Sequence, residues 1–82
     1  MRIKNVQPDT NWTVLIEAED GRCGTFDVAP FLKDEAFQGL QKKGEFQKIS
    51  NGGYFIEWDC GADLSADTIE AHWQTQDTKA IL

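Results

Sequence analysis

Two cysteines, Cys23 and Cys60, and one histidine, His72, are the residues of this 82-residue chain best suited to nucleophilic or soft-metal chemistry. A thiol nucleophile needs a base such as His72 to lower its pKa, and a carboxylate to orient that base. Neither cysteine stands in a spacing that delivers one: Cys23 falls in a strand-like run and Cys60 beside Gly61. A tetrahedral site built from the same three residues would lack the CxxC or HxxxH pair that normally fixes two ligands locally. Both cysteines are therefore expected to be reduced and buried, in packing or loop roles. Oxygen donors are denser. Glu57, Asp59, Asp63, Asp67 and Glu70 could hold a hard cation, but the ordered EF-hand spacing is absent and a solvated acidic face is the ordinary reading. Asp67 is also accounted for by the favourable dipole at the start of a helix. Gly52-Gly53 lacks a following Lys-Ser/Thr and leads into a strand-like run, so it reads as a turn and not as a phosphate cradle. The sequence assigns no catalytic residue, no metal ligand and no cofactor.

Charge narrows the partners. The chain carries 14 Asp and Glu against 8 Lys and Arg, a formal net charge of -6. Phosphate backbones and anionic membrane surfaces are repelled unless a local basic patch intervenes. The one adjacent basic pair, Lys42-Lys43, reads as the complement of a helix dipole. Direct binding to nucleic acid is not expected, nor is membrane association. Apolar runs such as Val14-Leu15-Ile16 and Tyr54-Phe55-Ile56 are far shorter than the roughly 20 residues a membrane helix needs. Met1-Arg2-Ile3-Lys4 opens no apolar signal region, so a cytoplasmic location is expected.

The elements that must position these residues follow from periodicity. The length allows one core, and 3 Trp, 5 Phe and 1 Tyr supply bulky apolar area for it. We expect a single small α+β domain over residues 1–82, two β-hairpin-like segments packed with short helices. Residues 2–6 suggest a strand. Residues 12–18 suggest another, with Trp12, Val14, Ile16 and Ala18 on one face and Leu15 on the other. Asp20-Gly21 signals a hairpin turn to a return strand over 22–28. A helix is expected from Pro30, with Asp34 as a candidate cap, Phe37 and Leu40 buried, and Gly44 as its stop. A second hairpin pairs 46–50 with 54–58 across Asn51-Gly52-Gly53, placing Tyr54, Ile56 and Trp58 on one face. Ser65 caps a last helix whose apolar stripe includes Ile69 and Trp73, with Leu64 and Ile69 stapling its start. Residues 74–79 are polar and read, with the apolar end Ala80-Ile81-Leu82, as a loosely ordered tail.

Taken together, Arg2-Ile3-Lys4, Phe26-Asp27-Val28-Ala29-Pro30-Phe31-Leu32, and Glu57-Trp58 followed by Gly61-Ala62-Asp63-Leu64-Ser65 resemble the bacterial domain-of-unknown-function family 2442. The resemblance runs from Arg2 to about Ile69. Ala66 departs from the proline often found at that position, at the cost only of a preorganised first helical turn. The resemblance implies a small α+β fold and, from companions seen in the family, a toxin-antitoxin-like pairing with another small protein. It supplies no catalytic residues. The expectation is a non-enzymatic protein-interaction or regulatory module with a protein partner, and Trp73, Asp63 and Asp59 are candidates for its partner surface. The competing expectation is a metal- or small-molecule-dependent enzyme using the acidic stretch 57–70 with His72. Oligomeric state is left open.

Overall fold

Alternation between apolar and polar residues builds the first hairpin. In the computed structural model, which describes residues 1–75, Val14, Ile16 and Ala18 are buried along β2 (Thr13–Ala18) while Leu15 faces outward. β2 pairs antiparallel with β1 (Ile3–Pro8) on one side and with β3 (Cys23–Asp27) on the other. Gly21 makes the tight turn between β2 and β3 at φ +95, a conformation that L side chains rarely adopt. Trp12 departs from its expected place on the apolar face of β2. It ends a 3-10 turn (Thr10–Trp12) with φ 62, so its side chain leaves the strand's alternation and lies half-buried against Phe46.

The second hairpin forms another antiparallel sheet from β4 (Ile49–Asn51), β5 (Phe55–Trp58) and β6 (Asp63–Ser65). β6 was not expected; three residues are too few to display a period. The two sheets meet at β1. The Ile3 N–H donates to the Gly53 carbonyl at 2.6 Å, and Asn51 Nδ2 donates to the Ile3 carbonyl at 3.0 Å. The outer edge of β1 is thereby covered where it is most buried.

The segment between β3 and β4 corrects the expectation of one helix. It consists of two 3-10 stretches, Ala29–Lys33 and Glu35–Gln41, and one short turn of α1 (Lys43–Phe46). Extended backbone at Asp34 and Lys42 breaks it, Asp34 caps nothing with its side chain, and Gly44 lies inside α1 instead of ending a helix. Phe46 accordingly belongs to α1 and not to a strand. The buried pair Phe37 and Leu40 is three apart, which is the period of a 3-10 helix.

The largest fully buried side chain, Trp58, closes the core. Its indole N–H donates to the Phe46 carbonyl at 2.9 Å, and its ring stacks on Phe46 with centroids 5.9 Å apart. Phe37 meets it edge-on at 6.4 Å. Among the described residues no buried side chain is polar or charged, so this indole N–H is the exceptional polar group inside, and it is satisfied.

α2 (Ala66–His72) starts as expected: Ser65 Oγ accepts from the Thr68 N–H at 3.1 Å, and Leu64 and Ile69 are buried. Just after α2 the chain rejoins the first sheet. Trp73 is half-buried, and Gln74–Thr75 form β7, which pairs with Thr25 and Gly24 of β3. Gly24 is required there. A Cβ on it would lie 2.7 Å from the Gln74 carbonyl oxygen and 2.9 Å from the Trp73 ring. The rest of the expected tail, with Ala80-Ile81-Leu82, lies outside the described residues. Arg22 links this corner to α2, its guanidinium lying 5.7 Å from the Trp73 ring centroid and 2.9 Å from Glu70 Oε2.

The core and the Glu70 ion pairs can each be tested by substitution. Trp58→Phe should lose about 1–3 kcal/mol because the Phe46 carbonyl is left unpaired, and Trp58→Ala about 3–5 kcal/mol, both read from urea unfolding. Glu70 is held below its ordinary value of 4.5, first by the hydrogen bond from the Met1 ammonium and then by that from Arg22. A depressed carboxylate contributes stability that is complete above 4.5 and is lost as pH falls through its folded value. The difference in melting temperature between the wild type and Glu70→Gln should therefore be present at neutral pH and shrink below 4.5. A pH-independent difference would show that the charge contributes nothing.

Candidate interaction surface

Alternation along β5 decides which side chains the second sheet shows to solvent. Ile56 and Trp58 point into the core, so Phe55 and Glu57 point out. The register sets Phe55 opposite Ser65 and Glu57 opposite Asp63, with Ser50 on the other flank of Glu57. All five are exposed.

Tyr54 precedes β5 and does not share the buried face expected for it. Gly53, at φ +87, turns the chain immediately before it, and Tyr54 ends 65% exposed beside Phe55 at 41%. The backbone carrying these rings is fastened on both sides. The Ala66 N–H donates to the Tyr54 carbonyl at 2.8 Å, the Gly52 N–H to the Phe55 carbonyl at 2.8 Å, and the Gly53 N–H to Asn51 Oδ1 at 2.8 Å. The Phe55 ring lies over Gly52, in space that a side chain there would fill. The Arg2 guanidinium sits 5.5 Å from the centre of the Tyr54 ring and reaches Glu19 at 3.3 Å. Tyr54 and Phe55 are thus exposed on a hairpin with a held backbone, and Arg2, from the chain just before β1, lies against the Tyr54 ring.

Carboxylates border the rings. Glu57 and Asp63 oppose each other directly across the strands, a like-charge arrangement that costs stability. Asp59 is exposed in the turn after β5, its N–H donating to the Lys48 carbonyl at 3.0 Å. Among the described residues none of the three is in an ion pair. The Lys48 ammonium is engaged by Glu45 at 3.0 Å, and that hydrogen bond raises its pKa.

The residues singled out from the sequence are divided by the fold. Asp59 and Asp63 belong to the second sheet, whereas Trp73 is half-buried on Gly24 and Arg22 of the first hairpin. The acidic stretch is likewise split. Asp67 and His72 are exposed at opposite ends of α2, and Glu70 is committed to Arg22 and the amino terminus. Among the described residues no three His, Cys, Asp or Glu side chains gather closely enough to hold a metal ion. Both cysteines are unpaired, but exposed where burial was expected. Cys23 alternates with the buried Gly24, and Cys60 sits in the turn between β5 and β6, against Gly39. The alternation in the sequence assigns Tyr54 to the buried face and gives Phe55 no role, whereas both are exposed. The outward position of Phe55 was available from the burial of Ile56 and Trp58, whereas that of Tyr54 depends on the turn geometry at Gly53.

No helix among the described residues is long and apolar enough to cross a membrane. No curated protein and no solved structure matches the chain. One family model does, over residues 3–75, which spans every strand and helix among the described residues. The chain belongs to the family described as protein of unknown function (DUF2442).

Proposed function

We propose that this chain is a non-enzymatic protein-interaction module that docks a basic segment of a partner protein on the outer face of its second sheet. The observation that carries the reading is the exposure of Tyr54 and Phe55, at 65% and 41%, on a hairpin whose backbone is hydrogen-bonded on both sides. Aromatic side chains and arginine are enriched at interface hot spots, and a backbone already held in place loses little freedom on binding. Arg2 completes that composition.

Charge supports the choice of partner. Among the described residues Glu57 and Asp63 are in no ion pair and Asp59 acts on Lys48 only at a distance, and the net charge of -6 steers cationic groups toward the surface. The Glu57–Asp63 repulsion would be relieved by a lysine or arginine seated between them. Control of a small neighbouring protein, the role suggested by the family resemblance, is compatible with such a module. Its action would be to occupy the partner's basic surface, with no reaction of its own and no direct contact with nucleic acid.

The test is co-purification from the native host, followed by titration of the recombinant partner against three proteins. These are the wild type, the double variant Tyr54→Ser/Phe55→Ser, and the double variant Glu57→Gln/Asp63→Asn. A stoichiometric basic protein is expected. Its affinity should fall at least about 30-fold on loss of both rings, from about 2 kcal/mol of hot-spot energy. The carboxylate variant should bind with a weaker salt dependence, and thermal melts of both variants should stay close to the wild type. Equal binding by all three proteins would overturn the reading, as would a bound metal or metabolite with turnover in place of a protein partner.

A further inference from the structure

A strand has two edges, and the pairing with β5 decides which backbone groups of β6 are used. The Trp58 N–H donates to the Ala62 carbonyl at 2.8 Å and the Ala66 N–H to the Tyr54 carbonyl at 2.8 Å, on either side of the pair Ile56 and Leu64. Hydrogen-bonded and non-hydrogen-bonded pairs alternate along an antiparallel ladder. Leu64 therefore turns its N–H and carbonyl toward β5, whereas Asp63 and Ser65 turn theirs the other way.

That other side is open. Among the described residues β5 is the one strand paired with β6, which is the edge of its sheet. The Asp63 and Ser65 N–H groups donate to no backbone carbonyl there, and the Asp63 carbonyl accepts from no backbone N–H. Both residues are exposed. An unpaired edge is a template for another strand, and charge decides which strands it admits. A second copy of this chain, with its net charge of -6, would set the acidic edge against itself, whereas a cationic strand is attracted.

Alternation fixes where the side chains of such a strand would go. A residue beside Asp63 or Ser65 points to the outer face, with Glu57 and Phe55, and the residue between them extends the inner row of Ile56 and Leu64. We propose that a partner segment of alternating basic and apolar residues adds to β6 as an antiparallel strand, exchanging main-chain hydrogen bonds with Asp63 and Ser65. This rests on the proposed docking of a basic segment on the second sheet and supplies its mode. Main-chain hydrogen bonds give affinity, and outward cations beside the Asp63–Glu57 pair and the exposed Phe55 ring give specificity.

The experiment titrates the full chain, by NMR, with the peptide acetyl-Lys-Val-Lys-Val-Lys-amide and with two forms of it, N-methylated on the lysine or on the valine backbone amides. All three carry the same charge. In the antiparallel register the lysine amides are the ones that bond to β6. The unmodified and valine-methylated peptides should slow hydrogen exchange at the Asp63 and Ser65 amides, and methylation of the lysine amides should cost at least about tenfold in affinity. Asp63→Lys should weaken the unmodified peptide by a similar factor, with a melting temperature close to that of the wild type. Equal affinity of the three peptides, loss on methylating the valines instead, or no saturable binding would each overturn strand addition. So would exchange at Asp63 that slows with the concentration of the chain alone, which would identify a second copy as the occupant. The docking face itself is judged by the Tyr54→Ser/Phe55→Ser titration against the partner, so either idea can fail without the other.

Discussion

The hydrogen bond from Trp58 to the carbonyl of Phe46, with the stacked rings around it, is the interaction on which the remaining structure depends. The segment from Ala29 to Phe46 has little regular helix to hold it, because 3-10 turns are short and their hydrogen bonds are poorly aligned. Its position is set by side chains. Successive ring contacts run from Phe26 to Phe31, Phe37, Trp58, Phe46 and Trp12, so the path leaves the first sheet, crosses the irregular segment and the second sheet, and returns to the entry of β2. Trp58 is the member that also carries a directional bond. The hairpin surface is positioned by it through β5, on which Trp58 lies.

Small domains lacking disulfides have little core to spare. This one joins its sheets through β1 and, apart from the hydrogen-bonded Trp58 indole N–H, keeps polar side-chain groups out of its interior among the described residues. Charged residues are confined to the surface. There Arg22 and Glu70 bind the first hairpin to α2, while the carboxylates of the second sheet stay unneutralised.

Much of the architecture was legible in the sequence wherever a pattern repeats or a residue has one conformational role. The alternation Val14, Ile16, Ala18, the turn at Gly21 and the Ser65 cap are of this kind. The failures have physical reasons. A spacing of three, as in Phe37 and Leu40, suits an α-helix and a 3-10 helix alike, and Gly44 is as compatible with a single helical turn as with its end. β6 and β7 are formed by three and two residues, and pairing, not local pattern, makes them strands. Residue type gave no hint that Trp12 would adopt positive φ. For the site, charge density drew attention to Asp59 and Asp63, but the neighbouring rings went unnoticed because the face of Tyr54 is fixed by Gly53 and not by strand alternation.

Gly24 places an upper limit on what its position in β3 can hold. With any larger residue there, Trp73 and the Gln74 carbonyl would have to move away, and β7 would separate from the strand it covers. The main-chain groups of Gly24 and Thr25 would then be open to the strands of other molecules, the usual starting point for edge-to-edge association. The absence of one methyl group thus keeps this stretch of the β3 edge covered by the chain's own backbone.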